Sequence, residues 1–282
     1  MKGTSFADLK NKVCVITGGG GVIGNSLASG LAKAGVKIAV LDISKKNADE
    51  LADKLKNEQG CDAIGIEANV LEKSSLVAAQ KLINEKLGAV DFLINGAGGN
   101  SPAATTKSEF ITDNLESLED SFFGLDLKSI AKVFDLNFMG TLIPTMIFGK
   151  EMIQRKSGVI LNISSMNSFR PLTKIPAYSA AKSSVNNLTE WLAVHFAKMN
   201  VRVNAIAPGF FITAQNKFLL IDEKTGELTD RGNKIISATP MGKFGEPDDL
   251  IGAALFLLSD ASEFITGVVL PVDGGFNAYS GV

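Results

Sequence analysis

Short apolar runs rich in β-branched residues recur along the chain and alternate with longer segments in which apolar positions keep helical spacing. This alternation is typical of βαβ units, in which helices cover both faces of a parallel sheet. No repeat, low-complexity tract or linker interrupts it, so we interpret residues 1–282 as one α/β domain with a doubly wound parallel sheet. The predicted strands are Val13–Thr17, Val36–Leu41, Ala63–Glu67, Val90–Asn95, Val159–Ser164, Val201–Ala207 and Val268–Val272.

Two segments break this rhythm, near residues 99–127 and 210–240, and each follows the carboxyl end of a predicted strand. Ligands of open α/β sheets bind at that edge, so we expect both segments to form walls or lids of a substrate site. The alternative is that they are insertions serving only packing or contacts between subunits.

Composition and charge narrow the functional classes. The chain has 28 basic and 30 acidic residues, a net charge of −2, and no long run of one sign, so no nucleic-acid or anionic membrane partner is expected. Cys14 and Cys61 form no CxxC motif and are interpreted as reduced core residues. The beginning of the chain lacks a signal-peptide pattern, and no uninterrupted apolar stretch is long enough to span a bilayer. We therefore expect a cytoplasmic protein that acts on a small molecule.

A glycine-rich loop follows the first strand. The sequence TGGGGVIG (residues 17–24) leads into a predicted helix, Asn25–Ala34. Glycines let a backbone turn tightly and approach a pyrophosphate, which the free N–H groups and dipole of a helix N-terminus stabilise. Between a first strand and a first helix, this pattern indicates a single Rossmann-type domain that binds a dinucleotide.

The second strand is followed by an acidic residue, Asp42, 18 positions after Gly24. A carboxylate at this spacing bonds the adenosine ribose hydroxyls and repels a 2′-phosphate, which favours NAD over NADP. Lys45 and Lys46 are the contrary signal, because a nearby lysine could hold that phosphate.

Tyr178 and Lys182 lie four residues apart at the start of a predicted helix, Ala177–Met199, and so share one helix face. An adjacent ammonium stabilises a phenolate and lowers the pKa of a tyrosine toward the range useful for acid/base catalysis. By itself, however, this spacing also occurs by chance and favours a surface Tyr–Lys pair.

The motifs taken together, and in this order, resemble the short-chain dehydrogenase/reductase family over essentially the whole chain. TGGGGVIG resembles its phosphate loop, INGAG (94–98) its fourth-strand motif, and DLNFMGT, with Asn137, its helical active-site motif. NISS supplies Ser165, thirteen residues before Tyr178, and YSAAK supplies Tyr178 and Lys182. APGFFIT (207–213) and VDGG (272–275) complete the set.

The resemblance implies a nicotinamide-dependent oxidoreductase. Tyr178 would exchange a proton with the substrate oxygen, and Ser165 would hydrogen-bond that oxygen. Lys182 would bind the nicotinamide ribose and lower the pKa of Tyr178, and Asn137 would anchor a water in the proton path. The implied cofactor-binding residues are Gly18, Gly20, Gly21, Val22, Ile23, Gly24, Asp42, Asn69, Val70, Asn95, Gly96, Ala97, Tyr178, Lys182, Pro208, Gly209, Phe211 and Thr213.

Two positions depart from the family pattern. Val22 stands where the middle glycine of the loop is usual, which leaves open whether Gly20 or Gly21 approaches the phosphate. Asn69 precedes Val70 where the family commonly has Asp-Val near the adenine; an asparagine can still pair with a base edge.

Three further passages, NSFRPLTKIPAYSAAK (167–182), PGFFITAQN (208–216) and VDGGFNAYSGV (272–282), resemble a sugar-acid branch of the family. That resemblance implies reversible NADH-dependent reduction of a keto-sugar acid, D-fructuronate to D-mannonate. Arg170 is the first candidate for the substrate carboxylate, because its planar fork suits bidentate binding, with Lys217 or Arg231 as alternatives. The predicted substrate residues are Asn100, Ser165, Asn167, Arg170, Tyr178, Gln215 and Asn216.

Other interpretations stay open. One is a reductase of the same fold that acts on another carbonyl, such as a 3-oxoacyl thioester or a ketogluconate. Another is a non-catalytic NAD-binding sensor, which would have no need of Ser165, Tyr178 and Lys182. With a single histidine, His195, far along the helix from Tyr178, neither a serine hydrolase nor a zinc site is expected.

The family resemblance also implies a homotetramer in which the helices around Asn137 and Tyr178 pack across a symmetric interface. Apolar residues on these helices could supply that interface, although they would serve the core of a monomer equally well. They are Phe138, Ile143, Trp191 and Phe196.

Overall fold

The computed structural model describes residues 6–113, 115–212, 217–222 and 225–281. In this part of the chain, seven parallel strands form one sheet in the order β3-β2-β1-β4-β5-β6-β7. This arrangement confirms the predicted doubly wound α/β class, and the strand order reverses between β1 and β4. The strands are β1 Val13–Thr17, β2 Lys37–Asp42, β3 Ala63–Glu67, β4 Phe92–Asn95, β5 Gly158–Ile163, β6 Val201–Pro208 and β7 Val269–Val272.

Helices cover both faces of the sheet. The side chains of β1 show why: Cys14 and Ile16 point into one core, and Val13 and Val15 into the other. A strand buried on both faces is apolar throughout rather than alternating. The helices are α1 Val22–Lys33, α2 Lys45–Gln59, α3 Lys73–Lys86, α4 Leu127–Phe134, α5 Gly140–Arg155, α6 Pro176–Phe196, α7 Lys217–Leu220, α8 Asp230–Ser237 and α9 Ile251–Leu258.

Two helix boundaries differ from the sequence expectation. Helix α1 begins at Val22, not Asn25, because Gly21 occupies the N-cap and the next residues are already helical. Helix α6 begins at Pro176 and ends at Phe196, and a 3₁₀ turn, Ala197–Met199, completes the predicted stretch. Proline suits the first turn of a helix because its missing N–H would have no partner there.

Two segments depart from the βαβ rhythm, and we call them the first excursion (99–127) and the second excursion (210–240). The first contains 3₁₀ turns, including Pro102–Ala104, and the second contains α7 and α8. The first excursion also contacts the segment that joins β5 to α6, because the N–H of Thr106 donates to the Lys174 carbonyl at 2.9 Å. The two excursions are linked by an ion pair between Glu109 and Lys234, 3.1 Å apart.

A buried polar network ties the carboxyl ends of the central strands to two helices. The Asn95 amide donates to Asn162 at 2.8 Å and to Thr145 at 3.0 Å, and Asn162 donates to Thr189 at 2.8 Å. All four side chains are buried. Because buried polar groups are costly unless paired, the network fixes β4 and β5 against α5 and α6 in one arrangement.

One helical run among the described residues, Leu127–Arg155, is long and apolar enough to cross a membrane by length and composition alone, with a mean hydropathy of 1.2. The core helix of a soluble protein passes the same test, and here Phe148 and Met152 pack against the sheet. One such helix is therefore weak evidence for a membrane span.

Candidate active site

The loop between β1 and α1 needs glycine at two positions for close backbone packing. Gly18 has a φ of +63°, and a Cβ there would lie 2.8 Å from the Cα of Ala97. A Cβ at Gly24 would lie 2.6 Å from the Gly18 carbonyl oxygen. A side chain at either position would push the loop, the start of α1 and the end of β4 apart.

The N-terminus of α1 forms one wall of a cleft of about 550 Å³. The first N–H groups of a helix have no partner within the helix, so this end can hold an anion. Gly21 caps the helix, and Val22 takes the first helical position. The Gly20 N–H is already committed to the Asp42 carboxylate, which leaves the N–H groups from Val22 onward for a phosphate.

The Asp42 carboxylate stands at the carboxyl end of β2 in this cleft. It accepts hydrogen bonds from the Gly20 N–H at 3.1 Å and the Ser44 N–H at 2.9 Å. The neighbouring lysines are paired along α2: Lys45 with Asp49, and Lys46 with Glu50 at 3.7 Å. A fixed carboxylate with both lysines engaged on the helix suits a ribose diol better than a 2′-phosphate.

Most of the predicted cofactor residues line the cleft, but several do not. The Asn95 side chain lies below it in the buried network. Pro208 ends β6, Gly209 and Phe211 follow it, and none of the three lines the cleft. Tyr178 and Lys182 are not lining residues either, and Thr213 lies outside the described residues. Those that line it are Gly18, Gly20, Gly21, Val22, Ile23, Gly24, Asp42, Asn69, Val70, Gly96 and Ala97.

Lys182 lies next to Gly98, one of the residues that line the cleft, and is only 4 % exposed. Its Nζ donates to the Ile163 carbonyl at 2.8 Å and lies 5.7 Å from the centroid of the Tyr178 ring. Burial lowers the pKa of Lys182 to about 8, because the charged ammonium loses its hydration.

The Tyr178 pKa moves opposite to the sequence expectation. Burial raises it, and a hydrogen bond with Ser165 opposes that change. Lys182 does not lower it here, since its ammonium is directed to a backbone carbonyl. Tyr178 is therefore a protonated acid at neutral pH, within hydrogen-bonding reach of Ser165.

Asn137 is buried in a π-helical turn, Asp135–Met139, which joins α4 to α5. Its amide donates to the Gly99 carbonyl at 2.7 Å and to the Val133 carbonyl at 2.8 Å, and its Oδ1 accepts from the Gly99 N–H at 3.2 Å. Asn137 thus holds the first residues of the first excursion in place. It is also close to Lys182, since a Cβ at Gly98 would lie 2.7 Å from Asn137 Oδ1 and 3.2 Å from Lys182 Nζ.

Ser165 is supported by side chains that the sequence analysis missed. Ser168 Oγ donates to the Ser165 carbonyl at 2.5 Å, and Asn186 Nδ2 donates to Ser168 Oγ at 2.8 Å. Thr17 plays a similar part at the cleft, accepting from the Gly96 N–H at 3.1 Å. Thr17 and Ser168 lie within passages quoted from the sequence and Asn186 follows one, but only the fold shows which groups they contact.

The predicted substrate residues are dispersed. Asn100 Nδ2 donates to Thr105 Oγ1 at 3.0 Å, and Arg170 donates to the Tyr279 carbonyl at 3.2 Å. Asn167 is buried, and its Oδ1 has no hydrogen-bond partner in the described part of the chain. Gln215 and Asn216 lie outside the described residues. His195 stacks on Trp191 at 4.5 Å on an exposed face of α6.

Comparison with known proteins identifies the class. The family model described as short chain dehydrogenase matches residues 12–224. A solved structure from Haemophilus influenzae, provisionally named a D-mannonate oxidoreductase and containing NAD, is 50% identical, with a TM-score of 0.93 over 98% of this chain and 99% of that one. The chain therefore belongs to the short-chain dehydrogenase/reductase family and is an oxidoreductase.

Two further relatives bear on the substrate class. The 5-keto-D-gluconate 5-reductase of Escherichia coli K12 is 34% identical, and the match covers 95% of this chain and 96% of that protein. The structure of a gluconate 5-dehydrogenase from Burkholderia cenocepacia, in complex with NADP and tartrate, is 30% identical with a TM-score of 0.81, covering 97% of this chain and 99% of that one.

The lowered pKa of Lys182 predicts a pH-dependent stability. Below pH 8 both folded and unfolded chains carry the charge; between pH 8 and 10.5 the folded chain loses its proton first, so stability rises with pH there. The Lys182→Met variant lacks this titration. From pH 8 to pH 10 the unfolding free energy of the wild type should rise by about 2 kcal/mol relative to the variant in urea titrations followed by circular dichroism. Exposed Lys81→Met should follow the wild type, and parallel curves for Lys182→Met would contradict the assignment.

Proposed function

We propose that this chain is a single-domain NAD-dependent oxidoreductase that interconverts D-fructuronate and D-mannonate. The observation that carries the reaction type is the grouping of Ser165, Tyr178 and Lys182, with Lys182 next to Gly98 of the cleft lining. The sugar-acid substrate is supported by the sequence passages around Tyr178 and after β6, and by the names of the relatives.

The residues fit a nicotinamide dinucleotide. Gly18 and Gly24 let the β1–α1 loop pack closely against neighbouring backbone, and the start of α1 offers N–H groups to the pyrophosphate. Asp42 would bond the adenosine ribose, and Lys182 the nicotinamide ribose. When bound, the reduced cofactor supplies the hydride for the substrate carbonyl carbon.

The protein's part in the reaction is to move the proton. In the direction of reduction, the Tyr178 hydroxyl donates its proton to the carbonyl oxygen as that oxygen gains charge, and Ser165 holds the oxygen by a hydrogen bond. The raised pKa of Tyr178 keeps the hydroxyl protonated at neutral pH, which suits reduction. In oxidation the phenolate accepts the alcohol proton. Asn137 acts through Gly99, fixing the backbone beside Lys182.

A second candidate is reduction of a ketogluconate, the activity named for the E. coli relative. It uses the same residues and the same cofactor chemistry, so only the substrate site distinguishes the two. Absorbance at 340 nm with NADH and a panel of hexuronates and ketogluconates separates them by kcat/KM. A higher kcat/KM with a ketogluconate than with D-fructuronate would identify the ketogluconate as the substrate.

Tyr178→Phe should reduce kcat by about 10²- to 10⁴-fold, the usual contribution of a positioned acid. NADH binding, followed by fluorescence, should be nearly unchanged because only one hydroxyl is lost. The chain has two tyrosines, so Tyr279→Phe is the matched control and should keep near-normal turnover. A loss below tenfold in Tyr178→Phe would assign the proton transfer to another group.

The fixed Asp42 carboxylate predicts a preference for NAD. The wild type should show a kcat/KM at least about tenfold higher with NADH than with NADPH, because the carboxylate repels the 2′-phosphate. Asp42→Ala should narrow this ratio, and Asp53→Ala on the exposed face of α2 should leave it unchanged. Equal efficiency with both cofactors in the wild type would refute the preference.

We also propose a homotetramer that buries the outer faces of α5 and α6. Trp191 and Val194 of α6 are 58% and 81% exposed. Met146 of α5 is also exposed. Of the other predicted interface residues, Ile143 and Phe196 pack partly against the core. Light scattering at micromolar concentration should give four times the mass of one chain; the mass of a monomer would argue against the assembly.

A further inference from the structure

Three cations surround one carboxylate where the two excursions meet the β5–α6 segment. Glu109 pairs with Lys234 of α8 at 3.1 Å. The hydrogen bond and charge of Lys234 lower the pKa of Glu109, and the charges of Lys174 and Arg231 lower it further. We call Lys174, Arg231 and Lys234 the cation cluster. With one acid among three bases, it has an excess of positive charge.

A cavity of about 170 Å³ adjoins the cluster, and Arg231 and Lys234 line it. Thr173, another lining residue, belongs to the segment that joins Ser165 to Tyr178. Phe210 lies two residues after the end of β6, and Phe276 packs against it edge to face at 5.2 Å. The cavity therefore lies at the edge of the sheet where the catalytic side chains stand, with one apolar wall and one charged wall that includes the Glu109 carboxylate as well as the two cations.

Arg231 is the arginine best placed to take a new partner. The chain has four arginines. Arg155 bonds the Val90 carbonyl, Arg170 the Tyr279 carbonyl and Arg202 the Leu257 carbonyl. Among the described residues, the Arg231 guanidinium alone of the four makes no hydrogen bond or ion pair. Its guanidinium can donate two parallel hydrogen bonds to the two oxygens of a carboxylate. A lysine ammonium cannot form this bidentate arrangement.

We propose that the cation cluster binds the carboxylate of the keto-sugar acid, with Arg231 as the bidentate partner. This inference rests on the proposed function and replaces Arg170 as the carboxylate partner. Arg170 is instead a positioning residue that ties the chain near Tyr279 to the β5–α6 segment. Glu109 competes with the substrate for the same cations, and so sets how tightly an acid can bind.

The test compares D-fructuronate with its uncharged methyl ester, which keeps the ketone and the ring carbons. For Arg231→Ala, kcat/KM with the acid should fall about 10- to 100-fold, mainly through KM, as expected for a lost charge-assisted bond. The loss with the ester should stay within about threefold. Arg231→Lys should recover part of the activity with the acid, and it also serves if the alanine variant folds poorly.

Two further variants sharpen the assignment. Glu109→Gln should lower KM for the acid about two- to fivefold and leave the ester unchanged. Arg170→Ala should affect acid and ester equally, and Lys81→Ala, on exposed α3, should affect neither.

Each adverse result has a distinct meaning. Equal losses with acid and ester in Arg231→Ala, or no loss with the acid, would overturn the inference. A fall in kcat/KM with the acid but not with the ester in Arg170→Ala would also overturn it, and would identify Arg170 as the residue that binds the carboxylate. A wild type that reduces no keto-sugar acid would instead overturn the proposed function.

Discussion

The close approach of three backbone segments at the switch point of the sheet is the constraint on which the site depends. Gly18 packs on Ala97, Gly24 packs on Gly18, and Thr17 bonds the N–H of Gly96. Only residues without a Cβ permit this spacing, and only this spacing places the N-terminus of α1 beside the end of β4. The shape of the cleft at this point is thus determined by backbone packing rather than by side chains.

Beneath that edge, side-chain hydrogen bonds hold the catalytic elements. The network from Asn95 through Asn162 to Thr189 joins strands to helices, and Asn137 fixes the backbone at Gly99. The network leaves one atom unsatisfied, since Asn95 Oδ1 is buried without a hydrogen-bond partner in the described part of the chain, and such an atom costs about 1–3 kcal/mol. These bonds fix the backbone beside the cleft. The two excursions, in contrast, are linked to each other by an exposed ion pair between Glu109 and Lys234.

Much of the fold could be predicted because hydrophobic periodicity and glycine placement are local signals. The strands near Val13 and Ala63 agree with the structure to the residue, and the glycine loop lies between β1 and α1 as expected. The pKa of Tyr178 could not be predicted from spacing, because burial and the direction of the Lys182 ammonium are tertiary properties. The contact between Glu109 and Lys234 spans 125 positions, and no local pattern encodes it.

The π-helical turn at Asp135–Met139 determines how α5 is rotated relative to α4. The Gly140 N–H bonds the Asp135 carbonyl, five residues back, so this turn holds one residue more than an α-helical turn would. If the same residues wound as a regular α-helix without this wide turn, α5 would be rotated by roughly 100° relative to α4. Phe148 and Met152 would then leave the core, or Asn137 would turn away from Gly99. The wide turn thus sets the phase between the half of the helix that serves the site and the half that serves the core, and it is the point at which one residue can be removed without rotating one half against the other.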